Sequence, residues 1–390
     1  MASGDHARPA VATRLAFLVA GFGVACWAPL VPFAKARLGV DDSAFGLLLL
    51  CLGVGSVSSM LLTGHISSRY GAWKVIVGGS AGMLLLLPLL TVFSSPLALA
   101  VTLFLFGASL GSLDVAMNIH AVEVEKIAGR PMMSGFHALY SVGGFAGSAV
   151  MTLLLSASIG LFMSTLPCVV LMLTATVIAA PRLIRQRPAD PGRVSIVPRG
   201  VVLLLAILAG ICFLVEGAVL DWGALLITQL GIVSVAHGGL GYVLFSIAMT
   251  IGRLCGDALV ARFGDRAVLR YGSAVAVVGF VLIIAIPIPF VAMAGFLLIG
   301  FGAANVVPVL FRGAGAQTAM PVNVAVSAIT TVGYAGVLLG PAAIGFIAKA
   351  ITLRGAFGVL AGLFGLVTLM SRLIPGLPLV ARRTSCADSP

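Results

Sequence analysis

Twelve long apolar runs separated by short polar stretches set the layout of this chain: 15–33, 44–66, 75–93, 97–121, 134–156, 159–180, 201–230, 240–261, 268–286, 290–311, 322–348 and 356–374. About 20 apolar residues in a helix cross a bilayer, so each run is predicted to be one transmembrane helix. A backbone in lipid must satisfy its own hydrogen bonds, and runs of this length do so as helices. One polar stretch, 181–200, stands out between the sixth and seventh runs; it carries Arg182, Arg185, Arg187, Arg193 and Arg199 with four prolines. It reads as a cytoplasmic connector between an N-terminal six-helix bundle (1–180) and a C-terminal one (201–390) that ends in a short tail. The expected fold is an all-α membrane protein of twelve transmembrane helices in two pseudo-symmetric six-helix bundles.

Composition agrees. Of 390 residues, 60% are hydrophobic and 9% charged, against about 25% charged in soluble domains. The net charge of +11 belongs to orientation and not to nucleic acid. With both termini inside, eighteen Lys and Arg fall in inside segments (Arg8, Arg14, Arg69, Lys74, Lys126, Arg130, the five linker arginines, Arg262, Arg266, Arg270, Arg312, Arg372, Arg382 and Arg383). Four fall outside (Lys35, Arg37, Lys349 and Arg354). That bias follows the positive-inside rule and places both termini in the cytoplasm. The polar N-terminus lacks a cleavage pattern, so no signal peptide is expected. The six cysteines form no CxxC pair and read as small buried hydrophobes, with neither a disulfide frame nor a metal site.

The halves repeat. Arg69-Tyr-Gly71 follows the second run and Arg262-Phe-Gly264 the eighth; Gly111 precedes Asp114 as Gly302 precedes Asn305; Gly143 and Gly147 match Gly336 and Gly340. An offset near 191–193 residues serves all three pairs and makes Asn305 the expected counterpart of Asp114.

On these residues the chain resembles the major facilitator superfamily over essentially its whole length. The family's loop motif, an Asp-Arg-x-Gly core followed by basic residues, is matched by Gly64-His-Ile-Ser-Ser-Arg69-Tyr-Gly71-Ala-Trp-Lys74. A second copy runs from Gly256-Asp257 to Arg262-Phe-Gly264-Asp-Arg266. Ser68 and Ala261 stand where the acid is usual. The resemblance implies alternating access and a gating role for Arg69, Gly71, Lys74 and Arg262. Within the superfamily, Asp114-Val-Ala-Met-Asn118 is similar to the Glu-x-Ala-Ala-Asn signature of fucose permease-like sugar/proton symporters, which would make Asp114 the protonatable acid. The first run carries no acid, unlike that branch. The nearest likeness is to uncharacterised bacterial inner-membrane facilitators. The fourth run lacks the arginine, and the fifth the proline motif, of drug/proton antiporters, which favours uptake over efflux.

Candidate chemistry lies inside the runs. An ionisable residue at the centre of a span costs about 2.5–3.5 kcal/mol and by default faces protein or a water-filled path. Asp114 therefore reads as a proton carrier or as a structural acid bonded by Asn118. Glu216, mid-run in the seventh span, is a second coupling candidate; Asp221, about 140° away round the helix, reads as an outer-gate contact or a solvated end. His137 opens the fifth span as a proton relay or as a hydrogen-bonding residue of the helix start. Trp27 and Trp222 read as sugar-stacking or as interfacial anchors. Asn118, Asn305, Thr330 and Tyr334 are substrate-binding candidates, Asn305 equally as interhelical glue. Arg253 and Asp257 have the spacing of an intrahelical salt bridge and read as a gate or latch. Glu123, Glu125, Lys126 and Arg130 read as a solvated turn.

The functional expectation is proton-coupled uptake of a small polar solute, a sugar or sugar-like polyol, energised by a proton gradient without cofactor or metal, by a monomer in a bacterial inner membrane. Efflux of a metabolite or drug is the alternative, and a transport-silent sensor a remote one. No HExxH or GxSxG motif suggests an enzyme.

Overall fold

In the computed structural model, which describes residues 7–40, 42–185, 197–233 and 240–374, twelve helices are long and apolar enough to cross a membrane. The helices of the first half are α1 (Ala7–Trp27), its short continuation α2 (Val31–Leu38), α3 (Asp42–Tyr70), α4 (Ala72–Leu89), α5 (Pro96–Ala128), α6 (Met133–Ser156) and α7 (Leu161–Ala179). Those of the second half are α8 (Val201–Gln229), α9 (Leu240–Phe263), α10 (Asp265–Ala285), α11 (Pro289–Ala303), α12 (Val306–Ala316), α13 (Val322–Ile351) and α14 (Leu353–Met370). The membrane face where α7 ends and α8 begins is called the linker face below. Most of the linker and all of the tail after residue 374 lie outside the described residues, so the expectations for Arg187, Arg193, Arg382, Arg383 and Cys386 fall there too.

Glycine lets helix backbones touch, and the glycines show the internal repeat as geometry. A Cβ on Gly107 would strike the carbonyl of Leu52, and one on Gly300 the carbonyl of Phe245. Gly79 meets the carbonyl of Ser109 as Gly272 meets that of Gly302, and Gly143 meets that of Leu18 as Gly336 meets that of Gly210. These glycines are paired at 193 positions throughout. Close backbone approach of this kind drives helix association in lipid, where burial of apolar surface gives no net drive. The loop glycines obey the same offset. Gly71 (φ 88°) and Gly264 (φ 82°) both need the left-handed region to turn the chain back, and each donates its N–H to a carbonyl four residues back, Ser67 and Val260, at 2.8 Å.

The register corrects the expected pairing of Asp114 with Asn305: an offset of 193 puts Val307 opposite Asp114 and Ser112 opposite Asn305. The second half has no polar equivalent of Asp114 at that position.

The tenth span is broken. α11 stops at Ala303 and α12 starts at Val306, with Asn305 (φ −107°, ψ 4°) as its N-cap. Pro308 is the cause: it has no N–H for the Ala304 carbonyl, and its ring crowds that oxygen. The carbonyl so released accepts from Arg253 Nε at 3.4 Å. Three further expectations change. Arg312, counted as a loop charge, is buried within α12. Cys255 is exposed and Cys51 half-buried, while Cys26, Cys168 and Cys212 are buried. Arg37 folds onto the end of α4, donating to the carbonyls of Leu90, Thr91 and Phe93 at 2.7, 2.6 and 3.0 Å.

A candidate solute site between the halves

Polar side chains from both halves meet where α5 and α6 face α8, α9, α12 and α13. Asp114 is buried in α5. Asn118, one turn on, donates to the Asp114 main-chain oxygen at 2.9 Å and to its carboxylate at 3.3 Å. Tyr334 of α13 lies beside Asp114 and beside Tyr140 of α6. One acid of the first half thus faces a phenol of the second. Tyr140 was missed by the sequence reading; it also lies within electrostatic reach of Glu216 and Arg253 and so links two polar groups.

The second group is centred on Arg253 of α9. Its guanidinium donates to Ser141 Oγ of α6 at 2.8 Å and to the Ala304 carbonyl, and pairs with Glu216 of α8 at 3.6 Å. Glu216 also accepts a weak bond from the Cys212 thiol at 3.5 Å. The expected Arg253–Asp257 pair does not form. Arg253 is drawn to the carboxylate and the proline-freed carbonyl beside it, and Asp257 points into the other half.

His137 is the fifth residue of α6. Its ring lies between Phe17 (centroids 5.1 Å) and Phe311 (5.7 Å), with Nε2 buried and unpartnered. Asn305 donates to the Gly252 carbonyl at 2.9 Å and leaves its own Oδ1 unpartnered, as does Asn118. The Thr330 hydroxyl is spent on Val326 of its own helix. Trp27 is buried at the end of α1; Trp222 is half-buried, with its indole N–H unpartnered. Asp221 is exposed. Arg69, Lys74 and Arg262 are exposed on the linker face, with Arg69 over Tyr70, Lys74 over Trp73 and Arg262 over Phe263.

At the linker face the two halves are locked. A helix start leaves four N–H groups without partners and a positive dipole end. At α6, Met132 and Met133 donate to Glu125 Oε2 at 2.7 and 2.8 Å, and Ser134 and Gly135 donate to the two oxygens of Asp257 at 2.9 and 2.8 Å. Asp257 comes from the opposite half. Gly135 is small because a Cβ there would meet Asp257 Oδ2 at 2.7 Å. Glu125, expected in a solvated turn, is buried and pairs with Arg312 at 2.5 Å; Arg312 also bonds Asp265 at 2.7 Å. On the same face Ser327 of α13 donates to the Met60 carbonyl of α3. A further residue missed by the sequence reading, His120, bonds Thr13 Oγ1 and accepts from the Ile184 N–H, both at 2.9 Å, pinning the start of the linker beneath the first half.

Twelve helices long and apolar enough to span a membrane, in two repeated halves with a broken span and buried ionisable groups at their meeting line, have the architecture of a membrane transporter. The model of the Major Facilitator Superfamily matches residues 14–315, and the chain belongs to that family. An uncharacterised MFS-type transporter of Yersinia pestis is 48% identical over 366 residues, covering 93% of this chain and 95% of the relative. An uncharacterised transporter of Sinorhizobium fredii is 36% identical over 357 residues, covering 89% and 93%.

Three solved structures share the fold at low identity. They are the fucose:proton symporter FucP of E. coli (TM-score 0.75, 16% identity, covering 95% and 99%), the proton:xylose symporter XylE (0.78, 12%, 96% and 97%) and the human organic anion transporter MFSD10 (0.75, 16%, 94% and 99%).

Proposed function

We propose that the protein imports a small polar solute, a sugar or sugar-like polyol, together with protons, by alternating access between halves 1–180 and 201–390 about the connector 181–200. The observation that carries this reading is Asp114, a buried acid on one half with Tyr334 of the other half beside it. A group placed there changes surroundings whenever the halves rock, which is what coupling needs. Two symporters among the fold neighbours are described as carrying sugars with protons, which supports the same class. The linker face is taken as cytoplasmic: with Arg312 removed from the tally, seventeen basic residues still stand against four. The protein is then a monomer in a bacterial inner membrane, closed to the cytoplasm by the Asp257 and Glu125 contacts.

The test uses proteoliposomes with an imposed proton gradient. Asp114→Asn should abolish uphill accumulation while preserving exchange of preloaded solute. Full accumulation by that variant sinks the assignment. Flux in inside-out vesicles reports direction, and proton-driven loading of those vesicles would mean efflux.

A further inference from the structure

The two buried arginines differ in a way that bears on what the transporter carries. Arg312 lies against two carboxylates, Glu125 at 2.5 Å and Asp265 at 2.7 Å. Arg253 has one carboxylate, at 3.6 Å, and otherwise neutral partners: a serine hydroxyl at 2.8 Å and a main-chain carbonyl at 3.4 Å. A guanidinium is a planar fork suited to a bidentate carboxylate, and Arg253 is not used that way. It also sits at the meeting line of the halves, bonded to Ser141 of one and Glu216 of the other. Along the meeting line, Oδ1 of Asn118 and Nε2 of His137 are also buried without partners. A buried amide oxygen in this state is short of a donor and a ring nitrogen gives or takes a hydrogen bond according to its tautomer; the hydroxyls of a polyhydroxyl body serve both.

We propose that the solute is a sugar acid: its carboxylate replaces Glu216 on Arg253, its hydroxyls serve the unpartnered polar atoms, and the displaced Glu216 takes up a proton. This rests on the transport reading above and narrows its solute class. The charge balances without any covalent step. Before binding, Glu216 (−1) neutralises Arg253 (+1); afterwards the solute carboxylate (−1) neutralises Arg253 and Glu216 is neutral. A carboxylate stripped of its cation in this low-dielectric setting holds its proton, so Glu216 takes in one proton with each anion, in addition to the coupling at Asp114. The groups facing Glu216 and Arg253 are Cys212 on α8 and His137, Tyr140 and Ser141 on α6. No second cation is among them. One structure of the same fold is described as an organic anion transporter, in keeping with this class.

The test is a thermal-shift titration of the purified full-length protein with three molecules on one skeleton: D-glucuronate, D-glucose and D-glucosamine. Glucuronate should stabilise most, and its apparent Kd should weaken about tenfold per pH unit on the alkaline side, or up to about a hundredfold between about pH 6 and about pH 8. In Glu216→Gln that slope should vanish, with binding at the higher pH as tight as the parent shows at the lower. Arg253→Gln should lose the preference for glucuronate. If that variant does not fold, Arg253→Lys, which keeps the charge but lacks the fork, should bind glucuronate at least about tenfold more weakly with glucose unchanged. Equal or stronger stabilisation by glucose or glucosamine, or a slope that survives Glu216→Gln, overturns the sugar-acid proposal and leaves the transporter reading intact. No shift with any of the three in the parent protein removes the sugar-like solute class, and this proposal with it.

Discussion

Arg312 and Arg253 are both buried arginines in the second half, and their surroundings assign them opposite roles. Arg312 holds two carboxylates at short distance and ties the α9–α10 turn to the end of α5. Breaking such a network by removing one member is costly: Arg312→Ala takes the cation away from the buried Glu125 carboxylate and should cost about 3–5 kcal/mol. The check is the thermal midpoint in detergent; an unchanged midpoint would mean that solvent reaches that carboxylate. Asp114 shows the same logic with a different outcome. Its carboxylate receives one long bond from Asn118 and lies beside a tyrosine from the other half, with no ion pair to it among the described residues.

The broken tenth span and the glycine seams show how single residues shape whole helices. Pro308 interrupts the hydrogen-bond ladder and hands the Ala304 carbonyl to Arg253. Pro308→Ala restores the missing N–H, and a buried helical proline costs about 3 kcal/mol. The variant should gain part of that in stability while α11 and α12 straighten, and its transport should slow; an unaltered rate would show that the break plays no part in turnover. The fifth span offers a matched pair. Gly143→Ala drives a Cβ into the Leu18 carbonyl of α1, whereas the nearest contact at the adjacent Gly144 is 3.9 Å. The first should lose about 1–3 kcal/mol by overpacking and the second close to none, both read as shifts in thermal midpoint.

In the molecule as a whole, the start of α6 is where the closed linker face is held. Two carboxylates, one from each half, satisfy its four N–H groups. Opening that face breaks the contacts that join the halves there: Asp257 with the start of α6, Glu125 with Arg312, and Ser327 with the Met60 carbonyl. Asp257→Ala leaves two N–H groups unsatisfied in the closed state alone, at about 1–3 kcal/mol each, so the ratio of open to closed should rise at least about thirtyfold. Spin labels at the exposed positions 69 and 262 would report it as a second, longer distance; a distribution identical to the parent's would remove Asp257 from the gate.

Much of this architecture is written along the chain. Run length against bilayer thickness gave twelve spans, and the loop glycines at 71 and 264 announced the repeat, because both signals are local: a span closes its own hydrogen bonds, and a left-handed turn needs glycine wherever it occurs. Asp114, Asn118, Glu216, Arg253 and Tyr334 were also legible as candidates, since any ionisable or polar residue inside an apolar run is costly. What each one touches was not. The local spacing rule joined Arg253 to Asp257, and the charge pattern put Glu125 in a solvated turn. In the folded molecule Arg253 reaches Ser141 and Glu216, Glu125 reaches Arg312, and Asp257 reaches Ser134 and Gly135, all far away in sequence except for the end of α5 beside the start of α6. The helices, their number and the doubling of the unit follow from the sequence alone, because helix formation in lipid is a local bargain between backbone and solvent. The partner of each buried charge was decided by tertiary structure, because electrostatic attraction falls with distance in space and takes no account of separation along the chain.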